Sequence, residues 1–565
     1  MTEFDLVVRG GQVIDGSGTG GRTADVAVRD GTIVEVGQVA GKGTQELVAD
    51  GAIVTPGFVD IHTHYDGQVT WANRLYPSSH HGVTTIVMGN CGVGFAPVRH
   101  QDHEMLIELM EGVEDIPGSI LHEGLSWDWE TFPEYMDMLA RRRFDVDVGA
   151  QIPHAALRVY VMGQRGADRE PATPDEVAEM RRIVAEGVAA GALGVSTSRS
   201  LNHRTSKGAP TPSLKAEYDE LLGLAVGLKD AGGGVFEMIS DLDDLDEEFD
   251  FFRGMVAESG RPMSISLAQG LNECGWRAVL GKIEQANADG LVMRGQVAPR
   301  PIGILMGLTT TICPFTTRKA YKEIVSLPVA ERIKAMRDPA RRAAILGDEP
   351  TPGFAVMQQK MDAGHKVWLL GDPPDYEPAP ESSMAARAAA AGQDVWSYIY
   401  DRLIENEGRN ILYSPFANYD DNNLDCCREM ILHENTVMGL SDGGAHVGTI
   451  CDASFITTLF THWGRDRDRG ERIDLPTLVK NQTHDTARAV GLHDRGVVAA
   501  GMKADLNVID FDNLNLRAPE MVQDLPAGGS RFEQKTSGYL ATVVSGEVTY
   551  RNGEATDALP GRLIR

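Results

Sequence analysis

The pattern of apolar and polar positions changes character twice along the chain. Over the first 56 residues the two kinds of position alternate in short runs, DLVVRGGQVID, ADVAVRDGTIVEVG and GAIVTPG, around Gly-Gly and Asp-Gly turns. Such alternation predicts short β-strands. The same style returns near the C-terminus in ADLNVIDF and GYLATVVSGEVTYRNGE. We therefore predict a small composite β-sandwich domain built from residues 1–56 and 486–565.

Between these two ends, apolar strand candidates alternate with helical stretches such as PDEVAEMRRIVAEGVAAG. This alternation predicts a parallel sheet, and eight repeats predict closure into a (β/α)8 TIM barrel, an α/β catalytic domain over residues 57–485. The candidate strands are 58–64, 84–92, 145–152, 191–198, 234–240, 262–268, 291–298 and 436–442.

One long stretch does not fit a simple connection between a strand and a helix. Residues 299–435 separate the last two strand candidates and include helical patterns such as LPVAERIKAMRDPARRAAIL. We interpret this stretch as an insertion that lies as a lid over the mouth of the barrel.

Composition narrows the class of protein. The chain has 565 residues and a formal net charge of −28, which argues against nucleic acid or an anionic membrane as a partner. Six cysteines are too few for a disulfide framework in a chain of this length. No secretion signal or membrane-spanning run is visible, so we expect a cytoplasmic enzyme acting on a small molecule. Homo-oligomerisation is left open.

The sharpest chemical signal is the stretch FVDIHTH at residues 58–64. His62 and His64 lie two positions apart at the end of an apolar strand, so both imidazoles point to the same face. In a barrel of this kind, the carboxyl ends of the strands carry the active site. Two neutral imidazoles on one face are a natural ligand pair for zinc or a similar ion.

These residues carry a family resemblance. GAIVTPGFVDIHTH resembles the first barrel strand of the amidohydrolase superfamily, and HGVTTIVMGNCGVGFAP resembles the second strand of its D-aminoacylase branch, the N-acyl-D-amino-acid deacylases. In that branch the cysteine of GNCG is a metal ligand, which implies the same role for Cys91. A thiolate is a good zinc ligand, although a buried structural cysteine is the alternative interpretation.

A second match lies in TVMGLSDGGAH at residues 436–446. It resembles the eighth strand of the superfamily, whose aspartate binds metal and moves a proton, and this implies both roles for Asp442. A carboxylate beside an activated water can accept its proton and later deliver it to a leaving amine. An aspartate in a turn is the alternative. His446 follows on the same loop and is a candidate substrate contact.

The chain also departs from the branch, which places a histidine on strand five and another on strand six. Ile239 and Leu267 occupy those two positions here, so the second metal site cannot form in its usual way. Glu237, two residues before Ile239, faces the same side and is a candidate metal or substrate ligand, with a structural barrel glutamate as the alternative. We therefore predict one tightly held ion.

Further candidates for substrate binding lie on the loops at the mouth. Gln269 stands where the branch has a lysine that holds the substrate carboxylate. The loop after strand eight carries Asp452 instead of an arginine, and we expect an aspartate to repel a carboxylate. Arg199 or Arg204 is the alternative anchor. The remaining candidates are His154, after strand three, and His203, after strand four.

The resemblance implies a metal-dependent amidohydrolase that cleaves a C–N amide bond of an N-acyl amino acid-like compound or another amide. The metal ligands are His62, His64, Cys91 and Asp442. A divalent ion, for which zinc is our expectation over iron, manganese or cobalt, would polarise the carbonyl and lower the pKa of a water molecule, while Asp442 acts as general base and acid.

Other activities remain open, because the same barrel supports deaminases, cyclic-amide hydrolases and decarboxylases. A non-catalytic amidohydrolase-like scaffold that has lost its metal is a further alternative. The missing histidines favour this scaffold, and the retained ligand set argues against it.

Overall fold

The computed structural model describes residues 3–348 and 364–565. Its strands, numbered β1 to β24 in chain order, are Phe4–Val13, Arg22–Arg29, Thr32–Gly37, Gly43–Val48, Ile53–Pro56, Phe58–Asp60, Val83–Met88, Asp147–Pro153, Gly194–Arg199, Val235–Ser240, Met263–Ser266, Met293–Val297, Ile302–Met306, Trp368–Leu369, Leu412–Ala417, Thr436–Met438, Leu506–Ile509, Asn515–Leu516, Glu520–Leu525, Gly529–Glu533, Thr536–Ser537, Tyr539–Val544, Glu547–Arg551 and Glu554–Ala555.

The α-helices connect and flank these strands. They are Gln68–Trp71, His103–Glu114, Gly118–Gly124, Phe132–Ala140, His154–Met162, Gln164–Ala167, Pro174–Ala189, Tyr218–Ala231, Leu245–Ser259, Trp276–Ala288, Lys319–Lys322, Val329–Met336, Pro339–Gly347, Met384–Ala390, Val395–Ile404, Asp425–Leu432, Phe455–Thr458, Leu475–Lys480 and Thr486–Ala489. Two π-helical segments, Leu459–Asp466 and Asn481–Asp485, extend the helices that precede them. No helix of the described chain is long and apolar enough to cross a membrane.

The eight predicted barrel strands all form, and the barrel fold is confirmed. They lie side by side in the order β16-β12-β11-β10-β9-β8-β7-β6, and every pairing is parallel. Every residue of β7 and β8 is buried, as expected when helices cover a parallel sheet. A parallel bridge between Thr63 and Gly443, just beyond β6 and β16, closes the circle at the carboxyl ends of the strands.

The outer helices follow the amphipathic pattern that the sequence predicts. In the helix Pro174–Ala189, the Thr173 side chain accepts a hydrogen bond from the backbone of Glu176, whose carboxylate accepts one in return from the Thr173 backbone. This capping box satisfies two backbone donors at the helix start. The apolar face, with Met180, Ile183 and Val184, is buried.

Both ends of the chain contribute to one nine-stranded sheet, in the order β24-β23-β22-β17-β5-β1-β2-β3, with β4 paired to β1. Residues 515–537 leave this sheet and form two small antiparallel pairs, β18 with β21 and β19 with β20. In β20, Phe532 donates a backbone hydrogen bond to the Val447 carbonyl oxygen at 2.7 Å, so this hairpin contacts the loop after the eighth barrel strand. The domain boundaries at 56 and 486 stay predictions.

The insertion is a small folded unit of its own. The strands β13, β15 and β14 pair antiparallel, and apolar side chains such as Phe315, Tyr400 and Leu412 form a separate core with the surrounding helices. Leu305 of β13 donates a backbone hydrogen bond to the Thr449 carbonyl oxygen at 2.8 Å. The insertion therefore contacts the loop after the eighth barrel strand. Its role as a lid stays a prediction, and part of it, 349–363, lies outside the described residues.

Candidate active site

His62 and His64 lie immediately beyond β6, where the backbone stays extended. Thr63 donates a backbone hydrogen bond to the Val87 carbonyl oxygen, and His64 donates one to that of Gly443. These bonds fix the chain between the second and eighth barrel strands. Both imidazoles consequently point to one side, and both are buried with 1% exposure.

Four donor atoms converge at this end of the barrel. The donor atoms of His62, His64 and Cys91 all lie within 4.8 Å of one another. The Cys91 Sγ lies 3.4 Å from His62 Nε2. Asp442 Oδ1 lies 3.5 Å from His62 Nε2 and 3.6 Å from His64 Nε2. The structure therefore brings together the four residues that the sequence predicts as metal ligands.

The outer nitrogens of both imidazoles face protein acceptors. Gln296 Oε1 lies 2.7 Å from His62 Nδ1, and the Gln296 amide nitrogen donates to Ser264 Oγ at 2.8 Å. Glu114 Oε1 lies 3.4 Å from His64 Nδ1. With the Nδ1 atoms directed outward, both Nε2 atoms are left to face Asp442 and to bind a cation.

Close backbone packing explains the two glycines of GNCG. Gly89 has a φ of +81°, and a Cβ there would lie 2.3 Å from the Gln151 carbonyl oxygen. Gly92 has a φ of +70°, and a Cβ there would lie 2.9 Å from the Thr197 Cα. Only glycine fits such positions. Between them Cys91 adopts a φ of +55°, a conformation that side chains rarely adopt, and its thiol lies against His62.

The surroundings set the charge of the donors. Burial lowers the pKa of His64 to about 4, so this imidazole is neutral at pH 7 and has a free lone pair. Burial alone would raise the pKa of Asp442, but the hydrogen bond with His64 and the charges of nearby histidines lower it below its usual value. A carboxylate and neutral imidazoles are the forms that bind metal.

Glu237 lies below this cluster and is fully buried. Its Oε2 accepts a hydrogen bond from the Cys91 backbone N–H at 2.9 Å, whereas its Oε1 has no partner among the described residues. Burial raises the pKa of Glu237 to about 7. The structure therefore places this carboxyl group beside the predicted ligands.

The other predicted residues divide into two groups. His446 lies at the cluster, with its Nε2 3.6 Å from Glu114 Oε2. His203 has a buried Nδ1 without a hydrogen-bond partner in the described chain. Burial, together with the nearby His64, lowers the pKa of His203 to about 3. Of the predicted substrate contacts, these two histidines therefore lie near the predicted metal ligands.

Three predicted substrate contacts are already held by protein groups. His154 is buried between Thr197 Oγ1 and Glu220 Oε1, at 2.7 and 2.9 Å. Arg199 pairs with Glu248 at 3.2 Å.

Gln269 donates to Asp421 Oδ2 at 2.9 Å and accepts from the Asp420 backbone at 3.0 Å. Polar atoms of all three side chains therefore make contacts within the protein, and their role in substrate binding stays a prediction.

Asp452 is the residue expected to repel a carboxylate, and this expectation stays a prediction. Asp452 pairs with the buried Arg300 at 3.1 Å, so its charge is balanced within the protein. Arg204, the other alternative anchor, is exposed and donates to the Gly208 carbonyl oxygen. Sequence reasoning missed a different guanidinium, that of Arg531 in β20. Its Nη1 is buried without a partner among the described residues, and it lines a cavity with Asp452 and Asp442.

Sequence reasoning also missed Gln296 and Glu114. Gln296 had a detectable signal, a polar residue within the buried strand MRGQV at 293–297. Glu114 had none, because it ends a helix 50 positions beyond His64 that shows only an ordinary amphipathic pattern.

The donor set fits a divalent cation. Two imidazole nitrogens, one sulfur and one carboxylate oxygen are the ligand types that zinc takes in proteins, and four such donors suit its tetrahedral coordination. The outward Nδ1 atoms with their acceptors supply the orientation that metal-binding histidines require.

Comparisons with known proteins identify the family of this chain. The model of the amidohydrolase family matches residues 46–550. The N-acyl-D-glutamate deacylase of Alcaligenes xylosoxydans is 27% identical over 542 residues, covering 93% of this chain and 91% of the relative. The D-aminoacylase of the same organism is 33% identical over 234 residues, covering 41% and 43%.

A solved structure shares the fold over the full length. The N-acyl-D-glutamate deacylase of Bordetella bronchiseptica, complexed with zinc and a phosphonate mimic of the tetrahedral intermediate, superimposes with a TM-score of 0.61 at 22% identity. The match covers 100% of this chain and 99% of the other. The D-aminoacylases of the amidohydrolase family, which are hydrolases of carbon–nitrogen bonds other than peptide bonds, are divergent relatives of this chain. The chain therefore belongs to the amidohydrolase family.

Proposed function

We propose that this protein hydrolyses the amide bond of a small N-acylated compound, with one divalent cation, zinc, and Asp442 as general base and acid. The observation that carries the proposal is the convergence of Asp442 Oδ1 with both Nε2 atoms of His62 and His64, at 3.5 and 3.6 Å. The two relatives from Alcaligenes xylosoxydans are a D-aminoacylase and an N-acyl-D-glutamate deacylase, which supports an amide as the substrate class.

The residues that would hold the cation are His62, His64, Cys91 and Asp442. When bound there, the cation supplies Lewis-acid chemistry, which polarises the amide carbonyl and lowers the pKa of water. His64 can enter this ligand set without losing a proton, since it is neutral at pH 7. The Cys91 thiol must release its proton, because burial and the nearby Glu237 raise its pKa well above the usual range.

Asp442 is the residue that transfers the proton in this mechanism. As the water oxygen forms its bond to the carbonyl carbon, Asp442 accepts the proton that leaves the water. When the C–N bond breaks, the same carboxyl group delivers that proton to the departing nitrogen, so the products are a carboxylic acid and an amine. The lowered pKa of Asp442 keeps it ionised and ready to accept a proton at neutral pH.

Substrate contacts come from the rim above these donors. Of the predicted substrate contacts, His203 and His446 lie near the cluster. The His203 Nδ1 has no hydrogen-bond partner among the described residues, and the His446 Nε2 lies 3.6 Å from Glu114 Oε2. Neither residue is a lysine or an arginine, and Gln269 donates a hydrogen bond to Asp421 of the insertion. We therefore expect the substrate to be less anionic than an N-acetyl-D-amino acid, or larger.

The decisive experiment incubates zinc-loaded protein with a library of acyclic and cyclic amides and reads the products by mass. Cleavage of acyclic amides into an acid and an amine supports the proposal. Ring opening, which adds one water and yields a single product, indicates a cyclic-amide hydrolase instead. Release of ammonia indicates a deaminase, and release of carbon dioxide indicates a decarboxylase. A protein that binds no metal and converts none of the compounds is a non-catalytic scaffold.

A further inference from the structure

Glu114 joins a predicted metal ligand to a histidine at the rim of the same site. It is the last residue of the helix His103–Glu114 and is 2% exposed. Its Oε1 lies 3.4 Å from His64 Nδ1, and its Oε2 lies 3.6 Å from His446 Nε2. Its backbone carbonyl oxygen also accepts a hydrogen bond from the His446 N–H. One residue thus contacts the first and the eighth strand loops.

A second contact anchors this helix end. Asp115 follows Glu114 with a φ of +52°, and its Oδ2 accepts a hydrogen bond from Thr449 Oγ1 at 2.8 Å. The helix itself buries Leu106, Leu109 and Met110. Because both the helix and its end are fixed, the carboxylate of Glu114 is held in place before any ligand arrives.

The partners of the two imidazoles show a common arrangement. His62 Nδ1 faces the Gln296 oxygen, and His64 Nδ1 faces the Glu114 oxygen. His64 Nδ1 is buried and makes no hydrogen bond among the described residues, and the Glu114 oxygen lies 3.4 Å away from it. An acceptor at Nδ1 places the ring proton on that atom and leaves the Nε2 lone pair for a cation. The two acceptors differ in kind, since Gln296 offers an amide oxygen whereas Glu114 offers a carboxyl oxygen.

We propose that Glu114 is a positioning residue, which fixes the tautomer and orientation of His64 for cation binding and holds His446 at the rim. This inference rests on the proposed function, because it takes His64 as a cation ligand. Glu114 itself need not touch the cation or the substrate. Residues in such supporting positions affect metal affinity by roughly 10- to 100-fold.

The test measures zinc affinity by competition with a chromophoric chelator, using the full chain. We expect Glu114→Ala to weaken zinc binding by roughly 10- to 100-fold. Glu114→Gln should bind zinc with intermediate affinity, because its amide oxygen can still accept the Nδ1 proton but carries no charge. Glu104→Gln, on an exposed glutamate of the same helix whose side chain is 63% exposed, is the matched control and should bind as the native protein does.

A second readout separates positioning from mere structural support. The melting temperatures of the metal-free Glu114→Gln and native proteins should agree, while the visible absorption bands of bound Co²⁺ should shift as the His64 ligand reorients. If Glu114→Ala does not fold, the zinc affinity of the isosteric Glu114→Gln variant tests the inference. Native zinc affinity in the Glu114 variants overturns the inference, and so does a loss of affinity that is matched by a lower metal-free melting temperature.

The two proposals fail in different ways. A native protein that binds zinc through a Glu114-dependent site but hydrolyses no amide overturns the proposed function and leaves this inference intact. Amide hydrolysis with zinc affinity that does not depend on Glu114 overturns only the inference.

Discussion

Gln296 Oε1 lies 2.7 Å from Nδ1 of His62, although the two residues come from the seventh and first barrel strands and are 234 positions apart. The contact is buried, and the Gln296 amide nitrogen is held in turn by Ser264 Oγ. The glutamine can therefore present only its oxygen to the imidazole. This arrangement fixes which nitrogen of His62 faces the centre of the barrel.

The first prediction concerns Gln296→Leu. Leucine has a similar size but accepts no hydrogen bond, so the His62 Nδ1 proton loses its buried partner and the imidazole loses its fixed orientation. We expect zinc affinity to fall by roughly 10- to 100-fold, as measured by chelator competition. Gln285→Leu, on the exposed side of a helix, is the control. If folded Gln296→Leu binds zinc with unchanged affinity, the orientation of His62 by Gln296 does not contribute to zinc binding.

Asp442→Asn should abolish turnover while the protein stays folded. The amide keeps the size of the carboxylate but cannot accept a proton from water, and loss of the general base typically costs about 10²- to 10⁴-fold in rate. Because Asp442 is also a proposed zinc ligand, kcat is compared at saturating zinc. Asp466→Asn, on a half-exposed aspartate, serves as the control. Near-native kcat in folded, zinc-loaded Asp442→Asn would exclude Asp442 from proton transfer.

We expect one tightly held ion per chain. The strand-five and strand-six positions of a second site are occupied by Ile239 and Leu267, neither of which can bind metal. Elemental analysis of purified protein after dialysis checks the number. Two retained ions would contradict the prediction and direct attention to Glu237, whose Oε1 has no hydrogen-bond partner among the described residues. Loss of the second ion in Glu237→Gln would then identify that ligand.

Simple N-acetyl-D-amino acids should be poor substrates. Gln269 replaces the lysine expected from the resemblance and is bound to Asp421, while Arg199 is paired with Glu248. Neither is free to hold a carboxylate by the charge-assisted hydrogen bonds that an arginine or lysine provides. The test compares kcat/KM for free N-acyl-D-amino acids with that for their amides. A strong preference for the free acids would show another anchor, and Arg531→Gln would then test Arg531, whose Nη1 has no partner among the described residues while its other nitrogens pair with Asp524.

Acid stability should depend on Glu377. This buried carboxylate accepts hydrogen bonds from Arg467 at 3.1 Å and lies 3.0 Å from His462 Nε2. Burial alone would raise its pKa, but these partners lower it to about 2. Because the folded pKa lies below the unfolded value of about 4.3, the stabilisation is complete above that value and is lost as the pH falls towards 2.

The change that tests this is Glu377→Gln. The native protein should be more stable than the variant at pH 7 by up to about 3 kcal/mol, and the difference should shrink between pH 5 and pH 2. Urea unfolding across that range measures it, with the exposed Glu381→Gln as control. A difference that does not change with pH would mean that Glu377 acts through packing rather than through charge.

The barrel and its four donors could be predicted because their signals are local. Each strand is a short apolar run, and the motifs around His62, Cys91 and Asp442 lie within a few residues of strand ends. Gln296 and Glu114 could not be assigned in the same way, because their partners lie 234 and 50 positions away and meet them only in the folded chain.

The contacts of two other candidates could not be predicted for the same reason. Asp452 looked like an unbalanced charge, yet its partner Arg300 lies 152 positions earlier. His154 was placed correctly after strand three, but nothing local indicated that Thr197 and Glu220 would enclose it. A linear pattern predicts which face of an element is buried, and it does not predict which distant polar group will meet a given side chain.

The pairing of β5 with β17 has a consequence for how the protein is made. Val54 of β5 pairs with Val508 of β17. The strand β5, which leads into the barrel, therefore cannot pair on this edge until a segment some 450 residues later has been synthesised. During synthesis that edge of β5 stays open, and unpaired strand edges promote aggregation. Completion of this sheet is therefore a late folding event with a long-range contact at its centre. Chains truncated before β17 should accumulate in aggregates even though every barrel strand is present.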